Sequence, residues 1–435
     1  MKTGSVITLG CKINTYESMA LKEQLTAEGI KLVPDSQAAD IYIINSCSVT
    51  KRTDAESRKR IRRAKRANPD ATVVVTGCYA QIKADELNAM PEVDYVIDNT
   101  KKGELVKYIL SDSDNATHSL TSDILKETKF LNLGVNDFKD RNRAFLKIQD
   151  GCDSFCSYCI VPYARGGVRS LAASEVIASI NRFVQAGFKE VVLSGIHIGK
   201  YGVDLTPNVN LLSLLKTIEK ETSLLRLRLS SIEPNEINDD FITHLSTSKI
   251  VCNHLHIPLQ SGDDGTLERM NRTYTTGEFA ALTDRLKASV TDITIGADVI
   301  VGFPGESDDD FQRTYDFIKE TPVDYLHVFP YSKRDGTPAN NMPDQVSEPK
   351  KKERAKRLRE LSDDKKISAY KNSIGNNIRV LFEKSPKKKT DLLHGLSRNY
   401  LNVAVQDFNE GMFNKEMEHK AKRLSDDRGA PILLI

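Results

Sequence analysis

Gly151-Cys152-Asp153-Ser154-Phe155-Cys156-Ser157-Tyr158-Cys159 places three of the chain's seven cysteines within eight residues, in a C-x3-C-x2-C pattern. The apolar run Ala144-Phe145-Leu146-Lys147-Ile148 stands just before it and reads as a strand. Three thiolates on one short loop can grip a metal centre from one side only. A structural zinc site closes with four ligands, and no fourth Cys or His lies nearby in the sequence. Iron–sulfur clusters are held by thiolates and tolerate an iron without a protein ligand, free to bind something else. Three unrelated thiols, or half of a zinc site completed elsewhere, are the alternatives.

The spacing, with the aromatic Tyr158 just before the last cysteine, resembles the radical S-adenosylmethionine enzymes. The resemblance implies a 4Fe–4S cluster on Cys152, Cys156 and Cys159. Its fourth iron would chelate the amino and carboxylate groups of S-adenosylmethionine.

The surrounding 435 residues are enough for two or three domains, and 39% apolar with 28% charged residues is ordinary for a soluble globular protein. No run approaches the roughly 18 apolar residues of a membrane span. Met1-Lys2-Thr3-Gly4 leads straight into a short strand, so no signal peptide is visible. Seven cysteines are an odd number without the density of a disulfide scaffold, and a cytoplasmic, reduced chain is expected. The net charge of +2 says little about partners. Its distribution says more: Arg58 to Arg66 carries seven cations in nine residues, and Lys350 to Lys366 and Lys387-Lys388-Lys389 are also basic. Such runs form either solvated faces or the footprint of nucleic-acid binding.

Residues 1 to about 110 alternate short β-branched runs with helical stretches, as in a parallel α/β sheet. The runs are Ser5–Leu9, Ile41–Asn45, Thr72–Thr76 and, more weakly, Asp94–Ile97. Cys11, Cys47 and Cys78 each follow one of the first three. The carboxyl ends of parallel strands line one crevice where ligands bind, so these cysteines are expected to converge in a second three-thiolate site. Cysteine is also common at buried strand ends, which is the alternative.

The words around them are Thr8-Leu9-Gly10-Cys11-Lys12-Ile13-Asn14-Thr15-Tyr16-Glu17, Asn45-Ser46-Cys47-Ser48-Val49-Thr50 and Thr76-Gly77-Cys78-Tyr79-Ala80-Gln81. With the central motif they resemble the methylthiotransferases, radical enzymes that convert C–H into C–S–CH3. The first word looks like the branch that modifies threonylcarbamoyladenosine in tRNA; branches acting on isopentenyladenosine or on a ribosomal protein carry other words after Gly-Cys. The resemblance implies an N-terminal α/β domain (1–120), a linker (121–142), a central radical domain (143–370) and a small C-terminal β-rich, TRAM-like domain (371–435).

The central stretch offers six strand candidates: Ala144–Ile148, Glu190–Ser194, Leu225–Ser230, Asn253–Ile257, Ile293–Val301 and Tyr325–Phe329. That is too few for a closed eight-stranded barrel, and the class resembles a partly open (β/α)6 barrel. Leu225-Arg226-Leu227-Arg228-Leu229 and His254-Leu255-His256-Ile257 alternate, so Arg226, Arg228, His254 and His256 are expected to face a polar lumen suited to a charged cofactor. Ser230-Ser231-Ile232-Glu233-Pro234, Pro258-Leu259-Gln260-Ser261-Gly262 and Asp298-Val299-Ile300-Val301-Gly302 are further family-like phrases. Pro162-Tyr163-Ala164-Arg165-Gly166-Gly167 and Leu193-Ser194-Gly195-Ile196-His197 are others. Tyr158, Gly195, Glu233, Gln260 and Asp298 are the expected cofactor contacts. Cys252 has no partner nearby and reads as a packed thiol.

Ser347 to about Asn372 is charged and helix-prone. Beyond it, Ile378–Phe382 and Tyr400–Val405 read as strands, whereas Met412 to Leu424 reads as helix or strand. The resemblance implies two 4Fe–4S clusters, the second on Cys11, Cys47 and Cys78, and S-adenosylmethionine as source of both a 5′-deoxyadenosyl radical and a methyl group. It also implies C2 of the modified adenosine in the tRNA anticodon loop as target, and an electron donor such as a flavodoxin or ferredoxin. The basic helix after Cys47 could follow the phosphate backbone.

Overall fold

The computed structural model describes residues 1–111, 118–138, 142–207, 209–384, 392–427 and 429–435. The basic triplet Lys387-Lys388-Lys389 lies outside the described residues. Strands β1 (Thr3–Thr8), β2 (Lys31–Leu32), β3 (Ile41–Ser46), β4 (Thr72–Gly77), β5 (Tyr95–Ile97) and β6 (His118–Leu120) form one all-parallel sheet. Its order is β2-β1-β3-β4-β5-β6. Every residue of β3 is buried, as a central strand covered by helices on both faces must be. The chain leaves β1 toward β2 on one side and returns on the other to form β3. This makes the β1/β3 boundary the switch point, where a crevice opens at the strands' carboxyl ends.

The stretch read as a linker is irregular, but it is tied down. Val135 and Phe138 are buried, and the Phe138 ring packs edge-on against Phe145, Phe183 and Phe188. Strand β7 (Arg143–Lys147) follows, then a short antiparallel pair, β8 (Gln149–Asp150) and β9 (Arg169–Ser170), that brackets the cysteine loop. Strands β10 (Glu190–Ser194), β11 (Arg226–Leu229), β12 (His254–His256), β13 (Thr294–Val301) and β14 (Tyr325–Pro330) complete the six expected strands. They run β7-β10-β11 and β12-β13-β14, all parallel, and a bridge between Leu227 and Val251 links the halves into one open barrel. Leu227, Leu229 and Leu255 join the core under the outer helices, so their neighbours Arg226, Arg228, His254 and His256 face inward.

The helix Glu348–Asn372 lies along the outside of β13 and β14 and leads to the last domain. Strands β15 (Asn377–Phe382), β16 (Leu393–Ser397), β17 (Asn402–Val405), β18 (Glu416–Lys420), β19 (Arg423–Asp426) and β20 (Pro431–Leu434) form one sheet around Val380, Phe382, Leu393, Val403 and Leu433. The ambiguous Met412–Leu424 stretch is therefore mainly strand.

The turn after β16 plugs the barrel floor, which corrects the expectation for the arginine pair. Arg226 donates to the carbonyls of Leu396 and Ser397, both at 3.0 Å, and Arg228 donates to that of Arg398 at 3.0 Å. Glu190 neutralises the pair at 2.8 and 2.9 Å. These cations hold the C-terminal domain and leave nothing over for a cofactor.

Candidate active site

The central cysteine loop leaves the barrel at the carboxyl end of β7. Gly151 has φ +75°, and a Cβ there would sit 1.8 Å from the Gly167 carbonyl oxygen. Only glycine makes this turn while the Cys152 N–H donates to Gly166 O at 2.9 Å. Gln149 Nε2 ties the turn down by donating to Gly151 O at 2.7 Å. The other end is held by Ser157, whose N–H donates to Met270 O at 3.0 Å and whose hydroxyl donates to Arg269 O at 2.7 Å.

Each of two sulfurs has a basic neighbour. His197 Nδ1 lies 3.4 Å from Cys152 Sγ, and its Nε2 lies 2.6 Å from Glu236 Oε1. Burial alone would lower the imidazole pKa, but these two contacts push it up to about 10. Burial would likewise raise Cys152, yet His197 and Ser154 pull its pKa below the ordinary thiol value. Arg272 Nη1 donates to Cys156 Sγ at 3.3 Å and also pairs with Glu233. Among the described residues no basic group lies within hydrogen-bond distance of Cys159 Sγ, and burial pushes its thiol up to about 12.

The second cysteine set converges as expected. Cys11 caps α1 (Lys12–Ala27), Cys47 directly follows β3, and Cys78 opens the helix Cys78–Ile82 after Gly77. At Gly10, φ +95°, a Cβ would sit 2.7 Å from Cys47 Sγ, so the Cys11 turn is pressed onto Cys47. Burial, then the proximity of Cys78 and Cys11, pushes the Cys47 thiol up to about 12. Solvent reaches Cys11 at the lip of the crevice. Its thiol is nonetheless raised, by desolvation first and by Cys78 among its neighbours.

Arg165 joins the two sites. It closes the helix Val161–Arg165, just after the central cysteines, and reaches into the N-terminal crevice. Its Nε donates to Cys78 Sγ at 3.3 Å, and its Nη2 donates to Asn14 Oδ1 at 2.7 Å. Its Nη1 lies 2.5 Å from Glu17 Oε1. Lys102, Lys147 and Arg169 are buried in the same network, where Glu17 and Asp150 are the carboxylates. Four buried cations against two carboxylates leave positive charge beside Cys78. A cubane held by three thiolates carries net negative charge, so this surplus and the three convergent sulfurs fit such a group. The thiolate–cation contacts of Cys152 and Cys156 fit one at the central loop.

The expected cofactor contacts separate into groups. Tyr158 is edge-on to Phe303, and Glu233 is held by Arg272, so both adjoin the central cysteines. Gly195 acts through its lack of a side chain: a Cβ would meet Gln149 Oε1 at 2.8 Å. Gln260, at φ +65°, shapes the wall with its backbone, accepting from the Ile300 N–H at 2.9 Å. Asp298 lies in the lumen between His256 and His327, at 2.8 and 3.3 Å. Sequence reasoning assigned no role to Glu17, Arg165, His197, Glu236 or Arg272. Arg165 and His197 stand inside the phrases quoted above, and for Arg165 a basic residue close to a cysteine loop was the available signal; His197 and Arg272 have no local signal.

Together the open barrel and the three-cysteine loop define a radical S-adenosylmethionine enzyme. Residues 146–318 match the Radical SAM superfamily, and residues 3–98 match the "Uncharacterized protein family UPF0004". A solved radical S-adenosylmethionine methyltransferase from Kitasatospora setae shares the fold with TM-score 0.54 at 13% identity, covering 78% of this chain and 77% of that one. The chain is 42% identical over 425 residues to a threonylcarbamoyladenosine tRNA methylthiotransferase of Bacillus subtilis, covering 97% of this chain and 94% of the relative. It is 37% identical to the protein of that name from Aquifex aeolicus, covering 93% and 96%. A tRNA-2-methylthio-N(6)-dimethylallyladenosine synthase of Carboxydothermus hydrogenoformans is 32% identical, covering 96% of each chain. The chain belongs to the radical S-adenosylmethionine tRNA methylthiotransferase family, a family of transferases. S-adenosylmethionine and a 4Fe–4S centre are that family's cofactors, and among the described residues no helix is long and apolar enough to cross a membrane.

Proposed function

We propose that this chain adds a methylthio group to C2 of N6-threonylcarbamoyladenosine, just 3′ of the tRNA anticodon, using two 4Fe–4S clusters. The observation that carries the reading is the convergence of Cys11, Cys47 and Cys78 at one sheet edge, joined by Arg165 to the loop of Cys152, Cys156 and Cys159. Relatives named for threonylcarbamoyladenosine are 42% and 37% identical, against 32% for one named for dimethylallyladenosine, and this favours the charged substrate.

When bound, the clusters and S-adenosylmethionine supply one-electron chemistry, sulfur and a methyl group, which no acid–base side chain can provide at an unactivated C–H bond. The chain's own residues position and shield. Cys152, Cys156 and Cys159 hold one cluster, and Cys11, Cys47 and Cys78 hold the other. Tyr158 and Glu233 adjoin the S-adenosylmethionine site, Gly195 and Gln260 shape its walls, and Asp298 belongs to the chamber below. An anticodon loop is single-stranded, so its bases can be splayed into such a chamber. The domains divide at 1–120, 143–370 and 371–435 with residues 121–142 between. The electron donor is a flavodoxin or ferredoxin, and the setting is the cytoplasm.

The test is anaerobic reconstitution with iron and sulfide, then iron counting and nucleoside analysis of treated tRNA. Roughly eight irons per chain, falling to about four in Cys152→Ala/Cys156→Ala/Cys159→Ala, are expected. Four falling to none would remove the second cluster, and zinc in place of iron would overturn the reading. A methylthiolated isopentenyladenosine in place of the threonylcarbamoyl product would reassign the substrate.

A further inference from the structure

Strands β12, β13 and β14 bring two histidines and an aspartate together on the lumen side of the barrel wall. Asp298 and His327 are direct cross-strand partners, and His256 stands opposite Gly296, two residues before Asp298 on the same face. Asp298 Oδ1 lies 2.8 Å from His256 Nε2 and 3.3 Å from His327 Nδ1. The three donor atoms all lie within 4.8 Å of one another. Donor atoms about 2.1 Å from one ion, at right or tetrahedral angles, stand roughly 3.0–3.4 Å apart. Both separations from Asp298 fall close to that span. The two imidazoles are stacked, with centres 4.7 Å apart and planes 28° apart. One ring must tilt for both lone pairs to meet at one ion, and His327, more than half exposed, has the room to do so.

The nitrogen of His256 that faces away from Asp298 is also held. Its Nδ1 lies 3.4 Å from Tyr325 OH, which lies 2.8 Å from His254 Nε2. His254 in turn stacks on Tyr400 of the C-terminal plug, with ring centres 4.3 Å apart. Tyr325 reaches across β13 because Gly296 has no side chain: a Cβ there would sit 2.2 Å from the tyrosine ring. A ligating histidine has its second nitrogen held in this way, which sets the tautomer and turns the first nitrogen toward the ion. Two neutral imidazoles and one carboxylate bring one negative charge, and Arg226 and Arg228 already have Glu190 as their counter-ion.

We propose that His256, Asp298 and His327 bind one first-row divalent cation, such as Mn2+, Fe2+ or Zn2+, at a site distinct from the two cysteine sets. Two imidazoles and one carboxylate form a facial donor set that leaves coordination positions open. The open positions face the chamber and take water or an oxygen ligand from outside the chain. Two hydrogen bonds on one carboxylate would account for the same distances without an ion, and the two readings differ in what the chain binds. The inference holds whichever modified adenosine is the substrate.

The experiment uses the reconstituted full chain, passed briefly over a chelating resin, with Mn2+ as the probe and the EPR signal of free Mn2+ as the readout. One Mn2+ per chain is expected, displaced by Zn2+, which binds such donors more tightly. His327→Ala and Asp298→Asn should each weaken Mn2+ binding at least 10-fold, and Tyr325→Phe should weaken it about 10-fold through His256. Iron content and cluster absorbance should be unchanged in all three variants. His327 is exposed, so its variant decides the matter even if Asp298→Asn folds poorly. No saturable Mn2+ binding by wild type would overturn the site. Equal binding by wild type and His327→Ala would place the ion elsewhere and overturn it too.

Discussion

Arg165 Nη1 stands 2.5 Å from Glu17 Oε1, with both side chains almost fully buried where the N-terminal sheet meets the barrel. Lys102 and Lys147 converge on the same carboxylate, at 2.5 and 3.4 Å. Burial opposes ionisation of Glu17, but Arg165, Lys102 and Lys147 hold its carboxyl well below the usual range. Removing the anion leaves three buried cations with Asp150, beside Arg165 and Lys147, as the remaining carboxylate. Glu17→Gln is therefore expected to destabilise the apo chain by about 3–5 kcal/mol, the cost of breaking a buried pair from one side. Urea unfolding of the metal-free protein measures it, and a loss below 1 kcal/mol would refute the role given to this network.

Cys152 and Cys159 share one loop but have opposite electrostatics. His197 favours the thiolate of Cys152, whereas burial pushes Cys159 up to about 12. In the reduced, cluster-free chain, iodoacetamide should alkylate Cys152 at a lower pH than Cys159, because the thiolate is the nucleophile. His197→Ala should move the Cys152 profile upward toward that of an ordinary thiol, near pH 8.5. Peptide mass spectrometry across a pH series reads both. Identical profiles for the two cysteines would show that His197 does not set the difference.

The layers of the fold were legible because hydrophobic period is a local signal. All six barrel strands, the parallel N-terminal sheet and the strand-end cysteines follow from runs such as Ile41–Asn45 and Glu190–Ser194. Charge partners were not legible, because they are tertiary. The alternation in Leu225–Leu229 put Arg226 and Arg228 in the lumen, but nothing local shows that carbonyls 170 residues away occupy them. The basic run 58–66 was likewise visible as charge, while several of its carboxylate partners lie outside the helix, at Asp35, Glu86 and Glu92. Arg165 was visible as a residue, and only the approach of two domains reveals it as the link between two cysteine sets.

Glu190 gives the barrel floor a pH dependence of defined sign. Burial would raise its pKa, but Arg228 and Arg226 lower it to about 2. A carboxylate lowered from about 4.5 in the unfolded chain contributes stability that is fully present above pH 4.5 and lost as pH falls toward 2. The shift corresponds to about 3 kcal/mol. Between pH 4.5 and 2 the wild-type chain should lose stability faster than Glu190→Gln, which lacks this titration. The variant should also be less stable than wild type at pH 7, because Arg226 and Arg228 lose their counter-ion beneath the plug. Parallel denaturant series at several pH values decide it; parallel stability curves for the two proteins would rule it out.

The face of α2 (Lys51–Ala67) offered to a phosphate backbone is narrower than the charge run implied. Arg58 is occupied by Tyr79 OH at 2.5 Å and Glu86 at 2.9 Å, and Arg60 by Glu56 and Asp35 at 2.8 and 3.1 Å. Lys65 is held by Asp94 at 2.9 Å. Lys59, Arg63 and Arg66 are exposed, and no carboxylate among the described residues pairs with them. Arg58→Glu would disturb Tyr79, next to Cys78, and would confuse RNA binding with cluster assembly. Lys59→Glu/Arg63→Glu/Arg66→Glu avoids this and should leave the iron content intact. If this face follows the anticodon-arm backbone, each lost contact removes about one released counter-ion. The dependence of log Kd on log salt should then flatten by about two to three, with affinity falling at least 10-fold at low salt. An unchanged salt slope in the triple variant would place the RNA on another surface.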